Sequence, residues 1–233
     1  MSKKDRIIHT LLVLLQIVVV FFIGQIHAGI GLAVTSTERV LPDYARMRIA
    51  GVFLIITAIV LLLLYWQRKK FSNRFGSIRD MNLKNIGIDV LIFIGVRIIV
   101  IIIAIAMEYV YGSAESPNDN AIFPSNINQL PIIYIVILFI STAILPPFYE
   151  ELLFRALPMQ LVTKKWAWVM AILSSLIFSS LHLSDNILGF LLYMFMGLGL
   201  WFAYYRRQNI WDSIFVHFLN NAFAVILVLL TGV

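Results

Sequence analysis

Seven mostly apolar runs, near residues 8–33, 48–66, 86–111, 131–162, 165–183, 187–205 and 210–231, divide this chain. Most approach the length at which a helix crosses a hydrocarbon core of ~30 Å, which takes about 20 residues. With 61% of residues hydrophobic and 13% charged, the chain carries more apolar side chain than a water-soluble domain could bury. A transmembrane barrel would need alternating polarity, and runs such as LLVLLQIVVVFF at 11–22 do not alternate. The expected fold is therefore all-α: a polytopic helical membrane protein, with about seven transmembrane helices in one bundle.

Charge placement orients the bundle. With a cytoplasmic N-terminus and alternating spans, Lys3, Lys4, Arg6, Arg68, Lys69, Lys70, Arg74, Arg79, Lys84, Lys164, Lys165, Arg206 and Arg207 all fall inside, thirteen of the eighteen Lys and Arg. Arg39, Arg46 and Arg48 fall outside, and Arg97 and Arg155 fall within spans. This is the positive-inside pattern. The net charge of +6 is read as orientation, so no nucleic-acid partner is expected. The start, MSKKDR before an apolar run, has the look of a signal peptide without its small-residue cleavage site, so an uncleaved first span is expected. With no cysteine, disulfides, thiolate metal sites and a cysteine nucleophile are excluded. The basic loop 67–85 is the candidate boundary. It divides residues 1–85, an N-terminal helix pair with its cytoplasmic loop, from a core at 86–233.

Setting aside loop charges leaves a short set of polar residues at membrane depth: Arg97, Glu150, Glu151, Arg155, His182, His217, Asn220 and Asn221, with Ser174, Ser175, Ser179 and Ser180. An ionisable group there costs roughly 2.5–3.5 kcal/mol on insertion scales, so it usually faces a protein interior and marks function. Counted from the nearest cytoplasmic anchors at ~1.5 Å per residue, Glu150 lies about 21 Å deep, His182 about 25 Å and His217 about 15 Å. Three chemically competent side chains from three helices thus reach comparable depth. Glu151 and Arg155 are four apart and can pair on one helix face. The same spacing relates Phe178 to His182, and His217 to Asn221. Pro146 and Pro147 are expected to kink the long fourth segment, and the serines to let the fifth helix approach its neighbours closely. Phe178 is expected in the pocket wall, His9 and His27 at the ends of the first span, and Asp185 and Asp212 as ordinary loop and interface acids. Arg97 belongs to no motif and is given no catalytic role.

EELLFR at 150–155, FSSLH at 178–182 and HFLNN at 217–221 together resemble the EExxxR, FxxxH and HxxxN motifs of the CAAX protease and bacteriocin-processing (Abi) family. The likeness covers roughly residues 130–225. Ala156 stands where a glycine often follows the arginine. The resemblance implies a glutamate-dependent intramembrane endopeptidase of the type II CAAX prenyl protease kind. Its substrate would be a membrane-associated or lipidated peptide or protein. The family links such enzymes to bacteriocin or pheromone maturation and self-immunity. On that reading the catalytic residues are Glu150 as general base, His182 holding the attacking water, and His217 and Asn221 donating to the oxyanion. Glu151, Arg155 and Phe178 support them. No cofactor is favoured. The alternative is one Zn2+ held by Glu150, His182 and His217, with water in the fourth position. Two other functions compete: a non-catalytic bacteriocin-immunity or interaction protein on the same scaffold, and a small transporter, for which no inverted repeat is apparent. The expected location is an integral place in a bacterial cytoplasmic membrane.

Overall fold

In a computed structural model of the protein, residues 3–35, 43–71, 75–123, 127 and 130–231 are described. Of the residues used above for orientation, Arg39 and Arg74 lie outside this set. Long helices follow the expected apolar runs: α1 (Lys3–Thr35), α2 (Asp43–Phe71), α3 (Leu83–Tyr111), α8 (Ile187–Arg207) and α9 (Ile210–Thr231). Between α3 and α8 come a short α4 (Pro117–Ile122), a broken rod made of α5 (Ile132–Phe139) and α6 (Leu145–Glu151), and α7 (Ala167–Ser180). No β-strand occurs among the described residues.

The packing is that of a protein solvated by hydrocarbon. Large apolar side chains such as Leu91, Ile102 and Ile105 face outward, while Glu151, Arg155, Asp89 and Asp212 are fully buried. Among the described residues, five stretches are long and apolar enough to cross a membrane: Lys3–His27, Leu83–Tyr111, Ile132–Gln160, Ile187–Arg207 and Ile210–Thr231. The expected fifth span is shorter than the sequence suggests. A tight turn at Lys164–Trp166 precedes α7, and its 14 residues measure about 21 Å, short of the hydrocarbon thickness. The chain is an integral, polytopic helical membrane protein.

Proline chemistry explains the broken fourth segment. Pro146 and Pro147 have no N–H to give, so the carbonyls one turn earlier lose their ordinary partners. The chain responds with a wider π-turn at Ile140–Ile144. A second π-turn, Leu152–Ala156, follows the glutamates, closed by Leu157 N–H donating to Leu152 O at 3.0 Å. Such insertions re-aim the side chains beside them. Two of the freed carbonyls are taken up from other helices. Thr142 O, four residues before Pro146, accepts from Asn221 Nδ2 on α9 at 2.9 Å. Phe154 O, four residues before Pro158, accepts from the Ser174 hydroxyl on α7.

Close approach of α7 to α8 follows from small residues, as expected. A Cβ on Gly197 would stand 3.1 Å from Ser175 Cβ. Ser179 donates to Phe190 O at 2.5 Å. Of the four serines only Ser180 is exposed, bonded within its own helix. At the junction of α8 and α9, Asp212 is no ordinary interface acid. It is buried and binds both Arg206 and Arg207, while Asp89 of α3 takes Arg206 at 2.7 Å, tying α3, α8 and α9 together. Asp185 is an exposed loop acid, as expected.

Helix α1 packs against α5 and α6. Gly24 lets Tyr149 approach its backbone: a Cβ there would stand 3.0 Å from the phenol ring. His27 closes the first apolar stretch, Lys3–His27, as expected, but it does not face outward. It is buried at 2% exposure, its ring 3.8 Å from Phe53 and 5.6 Å from Tyr149. Membrane helices pack by shape, and the gap that Gly24 leaves beside Tyr149 draws this face of α1 inward. His9 is half-buried.

Candidate active site

Glu150 and Glu151 end α6, and consecutive helical positions point ~100° apart. The two carboxylates therefore diverge. Glu150 lines a cavity of about 450 Å³, together with His182, His217, Asn220 and Asn221. Glu151 turns into the protein and is fully buried.

Two buried partners hold Glu151. Its Oε1 accepts from Arg155 Nη1 at 3.1 Å, the i,i+4 pair read from the sequence, and lies 2.7 Å from His217 Nδ1. A carboxylate can only accept, so Nδ1 of His217 carries the proton and Nε2 is turned to the cavity side. There Nε2 stands 3.8 Å from Glu150 Oε2, too far for a direct hydrogen bond and close enough for one bridging water. Glu150 Oε2 itself has no hydrogen-bond partner. Arg155 adds a bond from Nη2 to Gly197 O at 3.0 Å, where the missing glycine side chain leaves the carbonyl accessible. One arginine thereby joins the α6 end, the second π-turn and α8.

His182 is held differently. It follows the end of α7, and its Nδ1 lies 2.7 Å from Phe178 O. A carbonyl also only accepts, so Nε2 of the neutral ring is left as an acceptor. The ring stacks on Tyr193 at 4.4 Å with 21° between planes and meets Phe178 at 4.4 Å. Phe178 is not a wall of the cavity. It is fully buried behind it, under the Arg155 guanidinium at 4.8 Å and 6.1 Å from His217. Its aromatic face offsets part of the cost of burying that cation. Asn221 spends one amide hydrogen on Thr142 O and keeps a second, with its carbonyl, for the cavity. Asn220 bonds back to Val216 O at 3.0 Å and leaves Oδ1 without a partner.

Tyr193 was missed in the sequence because a tyrosine in an apolar run reads as packing. Its hydroxyl lies 2.8 Å from Ser116 Oγ and donates to Asp119 Oδ1 at 3.3 Å. The segment around α4 is thus fastened to the ring that supports His182. Tyr193→Phe keeps the stacking and loses the fastening. Its expected cost is about 1 kcal/mol, the usual worth of a buried hydrogen bond. Faster hydrogen exchange at 116–119 in the variant is the expected observation; unchanged exchange would show that the tyrosine hydroxyl does not hold this segment.

Among the described residues, no three His, Asp or Glu side chains are brought to a spacing that could hold a metal ion. Glu150, His182 and His217 line one cavity.

With that geometry in view, likeness to known proteins can be placed. Residues 132–223 match the family described as Type II CAAX prenyl endopeptidase Rce1-like. A stretch of 121 residues is 35% identical to a Bacillus subtilis (strain 168) protein named "Putative membrane peptidase YdiL", covering 51% of this chain and 46% of that protein. The matched stretch thus spans about half the length of that relative. No solved structure matches the chain. The region bearing the three motifs is therefore similar to that endopeptidase family, and its candidate site residues come from α6, α7, α9 and the turns beside them.

Proposed function

We propose that this protein is an intramembrane endopeptidase that hydrolyses a peptide bond of a membrane-associated peptide or protein without a metal ion. The observation that carries the reading is the relation of Glu150 to His217. Glu150, whose Oε2 has no hydrogen-bond partner, lines the cavity, and an imidazole 3.8 Å away is oriented by a second, paired carboxylate. The chemistry follows from these atoms. Glu150 takes a proton from a water, which attacks the scissile carbonyl carbon, and then passes that proton to the departing amine. The Nε2 acceptor of His182 holds the same water. The oxyanion that forms takes hydrogen bonds from Asn221 Nδ2 and, where the His217 ring is doubly protonated before water attacks, from its Nε2. Glu151, itself paired with Arg155, fixes the direction of that ring, as a buried carboxylate does for a catalytic histidine.

In this reading no step is routed through a metal ion. Hydrolysis is expected to survive exhaustive chelation. Stoichiometric zinc in the purified protein, whose removal stops cleavage, would overturn the metal-free assignment.

A lipidated substrate, a part in bacteriocin or pheromone maturation or self-immunity, and a cytoplasmic N-terminus belong to this proposal. The family likeness and the distribution of Lys and Arg support them. The test is profiling of peptide termini in membranes holding either the wild-type chain or Glu150→Gln. Termini present only with the wild type identify the substrate. Identical profiles, with unchanged resistance to any co-encoded peptide, would favour the non-catalytic scaffold instead.

A further inference from the structure

Arg97 sits midway along α3, where a free charge is expensive. It lines the same cavity as Glu150, His182 and His217. Its guanidinium lies over the face of Phe223 at 4.6 Å, and its Nε is buried without a hydrogen-bond partner. Among the described residues it forms no ion pair. Asp119 acts on it only at longer range, and that carboxylate is already engaged by Tyr193. Arg155 has an ion pair with Glu151 and a bond to Gly197 O; Arg97, half-buried, has no ion pair among the described residues. A half-buried cation that lines a cavity without an ion pair is a receptor for an anion. Phe223 lies six positions beyond His217 on α9, about 9 Å along the axis. An extended peptide covers that distance in a few residues.

We infer that Arg97 is the anion-binding residue of this cavity and takes a carboxylate of the substrate peptide a few residues from the scissile bond. The inference rests on the hydrolytic reading above. The carboxylate is either the peptide's C-terminus or an acidic side chain, and both present the same two oxygens to the guanidinium fork. Phe223 holds the guanidinium in place from one side, leaving the other N–H groups to the ligand.

The test uses the full chain in proteoliposomes and a library of apolar peptides. Each peptide is supplied with a free C-terminal carboxylate, as its carboxamide, and as the carboxamide with one glutamate near the C-terminus. Wild-type protein is expected to favour one of the two carboxylate forms over the plain carboxamide by about tenfold or more, mainly through KM. The form favoured identifies the source of the carboxylate. Arg97→Gln should bring that ratio close to one, and Arg97→Lys should keep part of it. A preference unchanged in Arg97→Gln would overturn the inference, as would a wild type indifferent to all three forms.

Binding separates this from failure of the protease reading. Should no peptide be cut, thermal stabilisation of the wild type by N-acetyl-Leu-Leu, compared with its carboxamide, decides the matter. Selective stabilisation by the acid, lost in Arg97→Gln, upholds the inference even if hydrolysis is never seen. Equal effects of acid and amide sink it. Should Arg97→Gln fail to fold, Arg97→Lys together with the wild-type acid-to-amide ratio gives the same decision.

Discussion

Glu150→Gln is expected to slow peptide hydrolysis by about 10²- to 10⁴-fold, the usual contribution of a positioned general base. Glutamine keeps the volume and the polarity but cannot take the proton from water. The same substitution should not destabilise the protein. Oε2 of Glu150 is buried without a hydrogen-bond partner, and the neighbouring Glu151 repels its charge. Removing that charge relieves a cost that only catalysis requires, so a melting temperature equal to or a few degrees above wild type is expected. The measurement pairs rates on the identified peptide with thermal unfolding in detergent. A variant that cuts at the wild-type rate would remove Glu150 from the mechanism. One that is inactive only because it has unfolded would leave the rate uninterpretable as chemistry, which is why both quantities are measured on one preparation.

Arg155→Met should have the opposite profile: a large loss of stability with activity falling as a consequence. Arg155 and Glu151 are both fully buried and meet at 3.1 Å. Removing one partner of such a pair leaves a desolvated charge and typically costs 3–5 kcal/mol, about half or more of a small domain's stability. The bond from Arg155 to Gly197 O is lost as well, which loosens the α6 end from α8. Neutralising both partners distinguishes the two roles. Glu151→Gln with Arg155→Met should recover much of the stability, because no unpaired charge remains. It should not recover the rate, since His217 then lacks the carboxylate that fixes its ring. Stability of the single variant within about 1 kcal/mol of wild type would contradict the burial on which this rests. Full activity in the double variant would reduce Glu151 to a structural partner of Arg155.

The two profiles illustrate what could be read in advance. Glu151 and Arg155 were legible as a pair because four residues separate them on a helix, and that relation survives any packing. The shared depth of Glu150, His182 and His217 was legible from helical rise alone. Phe178 was misplaced for a corresponding reason. Helical spacing tells that it lies on the side of His182, but not whether it is in front of the cavity or behind it. His27 stands at the end of the first span as expected, but its burial there was not legible. Only the gap left by Gly24 on α1 reveals that Tyr149 and Phe53 close over this face. Asp212 looked ordinary because its partners, Arg206 and Arg207, lie across the turn between α8 and α9.

Apolar run length and the absence of polar alternation settled the helical membrane fold, because lipid permits few ways to satisfy a backbone. The order of three short motifs settled which residues to watch. Tertiary structure alone decided what each one meets. It gave Thr142 O, orphaned by Pro146, to Asn221; it set Tyr193 against His182; and, among the described residues, it left Arg97 without an ion pair in the cavity that Glu150 lines. Those outcomes depend on contacts between segments tens of residues apart. Local periodicity fixes the direction of a side chain on its own helix, whereas the partner it meets is set by how the helices rotate and pack against one another.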